Sequence, residues 1–208
     1  MRDFLKLKPN FAGAILADPP WDWAPRADSG KGRSAEAYYD LMELGGIKSL
    51  PVQQYAKPDC MLFLWVHNTM LYDGLEVMKA WGFSYKSKGF TWVKIKENEA
   101  DLFGSYGEPV MGMGFWTRYS TETCLIGTMG HPKRLNADVR EVIFAPRRAH
   151  SRKPDEIYER IERLVAGPYL ELFSSEEGLH RKGWTRWSGK DRSPVRRWPS
   201  NLAKRGTR

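Results

Sequence analysis

The sequence predicts an α/β fold in which a mostly parallel sheet carries helices on both faces. Three observations lead there. Cys60-Met61-Leu62-Phe63-Leu64-Trp65-Val66 is an unbroken apolar run, the mark of a strand buried on both faces. Strand-like runs alternate along the chain with segments of helical period, as in doubly wound sheets. The first such run, 14–17, stops at Asp18-Pro19-Pro20-Trp21, which sets an acid at a strand's C-terminal end, where open α/β sheets hold their ligands. No Gly-x-Gly-x-x-Gly follows any of these strands, so a dinucleotide-binding fold is unsupported.

The elements follow in order. Prolines 19 and 20 lack N–H groups and fix their own φ, so strand pairing cannot pass Asp18. Residues 22–37, rich in Gly, Ser, Asp, Arg and Lys, read as a long mobile loop leaving that turn in the position of a lid. Residues 44–56 read as short helices broken at Gly45-Gly46 and Pro51. Asn68 is placed to cap a helix whose apolar face is Leu71, Leu75, Met78 and Trp81, with Gly82 at its C-terminal cap. Strands are expected at 90–95, 123–128 and 141–145, with a polar, Gly-rich excursion at 96–114. The helix at 154–166 has proline in its first turn and Ile157, Ile161, Leu164 and Val165 on one face. Its Glu156–Arg160 and Glu159–Arg163 spacings allow i,i+4 pairs. The last strand, 169–173, carries Glu171 mid-run. One domain is expected over 1–190, with a basic tail at 191–208.

The chain has 208 residues, 41 % apolar and 28 % charged, as in soluble globular domains. No apolar run approaches the length that spans a bilayer, and the first residues lack the pattern of a signal peptide. Cys60 and Cys124 lie in apolar runs and read as buried free thiols of a reducing, cytoplasmic compartment. The four histidines show no metal-ligand spacing, so no metal is expected. A net charge of +8 points to a polyanionic partner.

The tetrapeptide suits one reaction. An exocyclic amine on a base is a poor nucleophile, because its lone pair is delocalised into the ring. A carboxylate and a backbone carbonyl that accept its hydrogens favour the geometry in which the lone pair localises. They also stabilise the positive charge that develops on nitrogen. Trp21 would stack on the base. Taken alone, the tetrapeptide equally describes a strand ending in a turn, with a solvated acid and a core tryptophan.

Asp18-Pro19-Pro20-Trp21 resembles the catalytic tetrapeptide of the MT-A70-like adenine-N6 methyltransferases. The resemblance continues, in the family's order, through Leu62-Phe63-Leu64-Trp65-Val66, Trp81-Gly82-Phe83, Trp92-Val93-Lys94, Thr123-Cys124-Leu125-Ile126-Gly127, Lys153-Pro154-Asp155-Glu156-Ile157-Tyr158 and Leu170-Glu171-Leu172-Phe173. It implies a Rossmann-like methyltransferase fold, permuted so that the catalytic strand precedes the cofactor-binding strand, with S-adenosylmethionine as cofactor. By this resemblance Asp18, Pro19, Pro20 and Trp21 are catalytic. Asp18 also lies near the cofactor's ammonium group, Lys153 binds its carboxylate and Glu171 its ribose hydroxyls. An acid inside an apolar strand is costly unless paired or bound, so physics and resemblance agree on Glu171. Tyr39 matches an aromatic that closes over the site, or anchors a loop. Trp116 and Arg118 fall where the family lines the base pocket, though Trp116 could equally be core. The sequence departs from the family after Phe173, where Ser174-Ser175-Glu176-Glu177 replaces a basic residue. Near Trp187-Ser188-Gly189 it also departs from the family's ribose-contacting turn, leaving His180, Arg181, Lys190 and Asp191 as candidates for these roles.

Two functions follow. One is methyl transfer to the N6 amine of adenine in nucleic acid; the other is a non-catalytic nucleic-acid-binding subunit, a class that tends to lose the tetrapeptide kept here. The short stretch ahead of the motif strand resembles compact bacterial and phage members, so DNA is expected over RNA. The sequence leaves self-association into a homo-oligomer open and calls for no membrane. From Arg181 onward the chain holds more net positive charge than the whole, with Trp184, Trp187 and Trp198 interleaved, and reads as a phosphate-binding tail.

Overall fold

The computed structural model describes residues 4–22, 41–96, 108–112, 114, 116–148, 152–174 and 181–188. The expected loop at 22–37 falls, after Asp22, outside them, as do Tyr39, His180, Lys190, Asp191 and the tail. Strand β1 (Ala12–Ala17) is buried along its whole length and lies between β2 (Ala56–Val66) and β6 (Tyr169–Leu172), parallel to both. Seven strands form one sheet, in the order β5-β3-β4-β2-β1-β6-β7, where β3 is Ser84–Ile95, β4 Thr121–Met129, β5 Val142–Pro146 and β7 Trp184–Trp187. The sheet is mixed but mostly parallel: β4 alone runs against its neighbours, β2 and β3. The reversal has a simple cause. Helix α2 (Leu71–Ala80) carries the chain from β2 to a parallel β3, and β4 then folds back along β3 into the space between them.

Helices cover both faces. Ile15 and Ala17 face α1 (Leu44–Lys48) and α2, whose Ile47, Val77 and Met78 are fully buried. Ala14 and Leu16 face α3 (Glu156–Leu164), whose Ile157 and Ile161 are fully buried. Burying side chains of that size contributes about 1.5–3 kcal/mol each. Gly127 of β4 lets α2 lie close, since a Cβ there would come within 2.5 Å of the Met78 sulfur. Trp81 is the C-cap of α2, and Gly82 directly after it has φ of +81°, the left-handed conformation that favours glycine there.

Several local expectations are corrected. Helix α1 runs through Gly45-Gly46, and the break falls at Pro51. Met70, not Asn68, is the N-cap residue of α2; the Asn68 amide instead donates to the Thr121 carbonyl, tying the end of β2 to the start of β4. Leu71 is exposed and Val77 takes its place on the buried face. Strand β3 begins well before its apolar run, because its exposed, polar half still pairs with β4. Strand β7, which falls in the basic segment after Arg181, joins the sheet beside β6. Its Trp184 packs on Tyr158 and Tyr169, and Trp187 on Phe4 and Phe173. Cys60 and Cys124 are buried and free. No helix among the described residues is long and apolar enough to cross a membrane.

This topology brings the C-terminal ends of β1, β2, β3, β5, β6 and β7 to one rim, with the start of β4 among them.

Candidate active site

Asp18 stands at the centre of that rim. Its N–H donates to Leu172 at 3.4 Å, the last ladder bond of β1 before the prolines. The turn beyond is closed by its own backbone: Trp21 N–H donates to the Pro19 carbonyl at 2.9 Å, and Met42 N–H to the Pro20 carbonyl at 3.0 Å. A carbonyl has two lone pairs, so Pro19 keeps one acceptor site.

The carboxylate meets Lys153, whose Nζ lies 2.6 Å from Asp18 Oδ2. Lys153 enters from the segment before α3, above the Trp65 ring, with 5.6 Å from Nζ to the ring centroid. The same Nζ is 3.2 Å from Glu122 Oε2, and Glu122 Oε1 is 2.6 Å from Lys94 Nζ. Asp18, Lys153, Glu122 and Lys94 thus form a chain of alternating charge at the ends of β1, β4 and β3. Burial pushes the Asp18 carboxyl above its usual range, against the pull of Lys153. Burial would also raise Glu122, but Lys153 and Lys94 hold it down to about 2. Lys153, which burial alone would lower, is pushed up by Asp18 and Glu122 and remains an ammonium ion. His67, at the end of β2, is lowered by burial and shares the electrostatic surroundings of this chain.

Glu171 lies one strand away, paired in register with Leu16 of β1. The Tyr158 hydroxyl donates to its Oε1 at 2.9 Å, and Arg186 Nε to its Oε2 at 3.1 Å. The cost of an acid inside an apolar strand is therefore met from α3 and β7. Beneath Lys153, the buried Trp65 indole N–H has no hydrogen-bond partner among the described residues.

Asp18, Lys153 and Glu171 are brought together as the sequence expects. Trp21 is placed differently: it is 8 % exposed within the core, and its indole N–H donates to the Trp65 carbonyl at 3.1 Å. Of the two readings the tetrapeptide allows, the structure shows the core tryptophan and not an open stacking face: the ring packs in the core and its indole N–H is used within it. Trp116 goes the other way. It is 87 % exposed, on the connection between β3 and β4, so its core reading is excluded. Arg118 on the same connection donates to the Gly114 carbonyl at 3.2 Å. The Lys94 backbone holds this connection at two points: its N–H donates to the Ser120 carbonyl, and its carbonyl accepts from Val110 N–H.

Sequence reasoning missed Glu122, Lys94 and Arg186. Glu122 and Lys94 bracket strands that the hydrophobic pattern does reveal, but only the antiparallel pairing of β3 and β4 puts both at the rim with Asp18. The signal available was an acid directly ahead of an apolar run. Without the strand's direction, it does not say which rim the acid joins.

A family model described as MT-A70 matches residues 12–190. The chain is 33 % identical over 174 residues to an Arabidopsis thaliana protein named N(6)-adenosine-methyltransferase MT-A70-like, covering 83 % of this chain and 22 % of that one. It is 34 % identical over 161 residues to the human N(6)-adenosine-methyltransferase catalytic subunit METTL3, covering 76 % and 25 %. It is 26 % identical over 191 residues to the type II methyltransferase M.MunI of a Mycoplasma species, covering 83 % and 75 %. The chain spans about a quarter of the length of the adenosine methyltransferases it matches.

Proposed function

Because this chain belongs to the MT-A70 family, we propose that it transfers a methyl group from S-adenosylmethionine to the N6 amine of adenine in nucleic acid, with DNA as its substrate. The observation that carries this reading is the Asp18 carboxylate, fixed at the end of β1 with Lys153 on one oxygen. Its Oδ1 is left to accept a hydrogen of the target amine, and the second lone pair of the Pro19 carbonyl is the neighbouring acceptor. Together they would draw the amine toward the geometry in which its lone pair localises, and balance the charge developing on nitrogen.

The donor set fits the cofactor. An amino-acid end needs a carboxylate for its ammonium group and a cation for its carboxylate; Asp18 and Lys153 offer both, at present satisfying each other. Glu171 offers acceptor sites for ribose hydroxyls, and the unpartnered Trp65 N–H leaves a donor in the same region. S-adenosylmethionine supplies, when bound, an electrophilic methyl group on a sulfonium centre. Pre-paid orientation and charge stabilisation by these residues would account for most of the rate. Trp116 and Arg118, exposed on the connection between β3 and β4, would meet nucleic acid. An adenine in a duplex would have to flip out of the stack to reach Asp18. The cytoplasm is the compartment that fits two free thiols.

Similarity over three quarters of the type II methyltransferase supports DNA. The second reading, RNA, draws on the higher identity to the adenosine methyltransferases. Incubation with labelled S-adenosylmethionine and either polymer, followed by nucleoside analysis, decides between them. Labelled N6-methyl-2′-deoxyadenosine is the expected product. N6-methyladenosine would establish the RNA reading, and nucleic-acid binding without either product would identify a non-catalytic subunit.

The tail has its own test. Strand β7 ends at Trp187, so deletion of 192–208 leaves every described strand intact. The deletion is expected to weaken binding equally on cognate and random sequence. It should also flatten the salt dependence by roughly one unit of log–log slope for each phosphate that the tail neutralises. Titrations at several salt concentrations read both; coincident lines for the two proteins would make the tail inert.

A further inference from the structure

Strand β7 delivers a cation to the acid on β6. Register pairs Arg186 with Glu171, and both side chains are nearly buried, 13 % and 12 % exposed. Arg186 Nε–H donates to Glu171 Oε2 at 3.1 Å, while the Tyr158 hydroxyl donates to Oε1 at 2.9 Å. A carboxylate has about four acceptor sites, so two remain once these donors are in place. The donors themselves are held: Trp184 of β7 meets the Tyr158 ring edge-on at 4.9 Å, and its indole N–H donates to Glu162 of α3 at 2.8 Å.

We propose that Arg186 is a positioning residue of the cofactor site, which orients Glu171 and balances its charge so that the two remaining acceptor sites take the ribose hydroxyls. This role rests on the cofactor reading above. Its physical basis is the company Glu171 keeps. Arg186 faces it from β7, Tyr158 from α3, with Arg181 over that ring at 5.5 Å, and Asp18 from the end of β1. Burial pushes the Glu171 carboxyl up, and Asp18 pushes the same way; Tyr158 and Arg186 oppose them. Without Arg186 one of the groups that hold Glu171 ionised is gone, so its carboxyl moves further up, and once protonated it has less acceptor capacity toward a hydroxyl. A purely architectural ion pair would show no such link between ligand affinity and pH.

The test uses full-length protein and S-adenosylhomocysteine, titrated calorimetrically between about pH 6.5 and 9. Affinities are taken as the ratio of variant to wild type at each pH, which cancels the ligand's own titration. Arg186→Met is expected to weaken binding about ten- to a hundred-fold at the acidic end. The deficit should shrink as pH rises and Glu171 ionises. Arg186→Lys should stay within a few-fold of wild type throughout. An Arg186→Met deficit that is absent, or that is constant with pH, overturns the proposal. Should Arg186→Met fail to fold, the double variant Glu171→Gln/Arg186→Met removes both charges and leaves no buried ion unpaired. It is expected to bind weakly with a ratio that does not vary with pH, and wild-type affinity in it overturns the proposal. Wild-type protein that binds no ligand at any pH would overturn the cofactor reading itself, a result distinguishable from every outcome among the variants.

Discussion

Asp18→Ala is expected to abolish methyl transfer while the protein stays folded. The acid stands on a turn beyond the last residue of β1, so its loss opens no cavity in either core layer. Nor does it strand a buried cation, since Lys153 keeps Glu122 at 3.2 Å. What disappears is the acceptor for the amine and the charge facing its nitrogen. Losing one preorganised group of this kind typically costs about a hundred- to a thousand-fold in rate, and this one is asked to do two tasks. Asp18→Asn should be less severe, because the amide oxygen still accepts one hydrogen bond. Turnover with labelled cofactor, beside a thermal melt of each variant, reads both halves of the expectation. Near-normal turnover in a folded Asp18→Ala protein would remove Asp18 from the mechanism.

Lys153→Ala is expected to weaken cofactor affinity by about ten- to a hundred-fold, with nucleic-acid affinity much less affected. The cation has two jobs that fail together. It is the candidate partner for the ligand's carboxylate, and it separates Asp18 from Glu122. Lys94 still neutralises Glu122, so the rim retains one ion pair and the fold should survive. Asp18, already raised by burial, loses its main opposing charge and moves further up. The sign of the pH effect follows: residual turnover of Lys153→Ala should rise with pH as Asp18 ionises, over a range where wild type is flatter. Lys153→Met, which keeps the stem over Trp65, separates lost packing from lost charge. Calorimetry with unchanged cofactor affinity in both variants would remove Lys153 from the cofactor site.

Much of this molecule is legible along the chain because the relevant signals are local. The all-apolar core of β2, the period of α3 and the two prolines after Ala17 each act within a few residues. Together they place an acid at the end of a buried strand. The family landmarks then attach Lys153 and Glu171 to the same site. Where reading by residue type failed, the deciding partner came from far away in sequence. Trp21 is a core residue because Met42 and Trp65 receive it, a choice the tetrapeptide by itself leaves open. The polar half of β3 is a strand because β4 returns alongside it. Glu122 and Arg186 are ordinary charged residues until the reversed β4 and the added β7 carry them to Lys153 and Glu171. The chain by itself determined the apolar strands and the period of the helices, since hydrophobic period and missing N–H groups act on neighbours, but not β7 or the polar half of β3. Only the tertiary structure decided which charges meet, because an ion pair such as that between Asp18 and Lys153 depends on the order and direction of strands, and these are set by packing across the whole sheet.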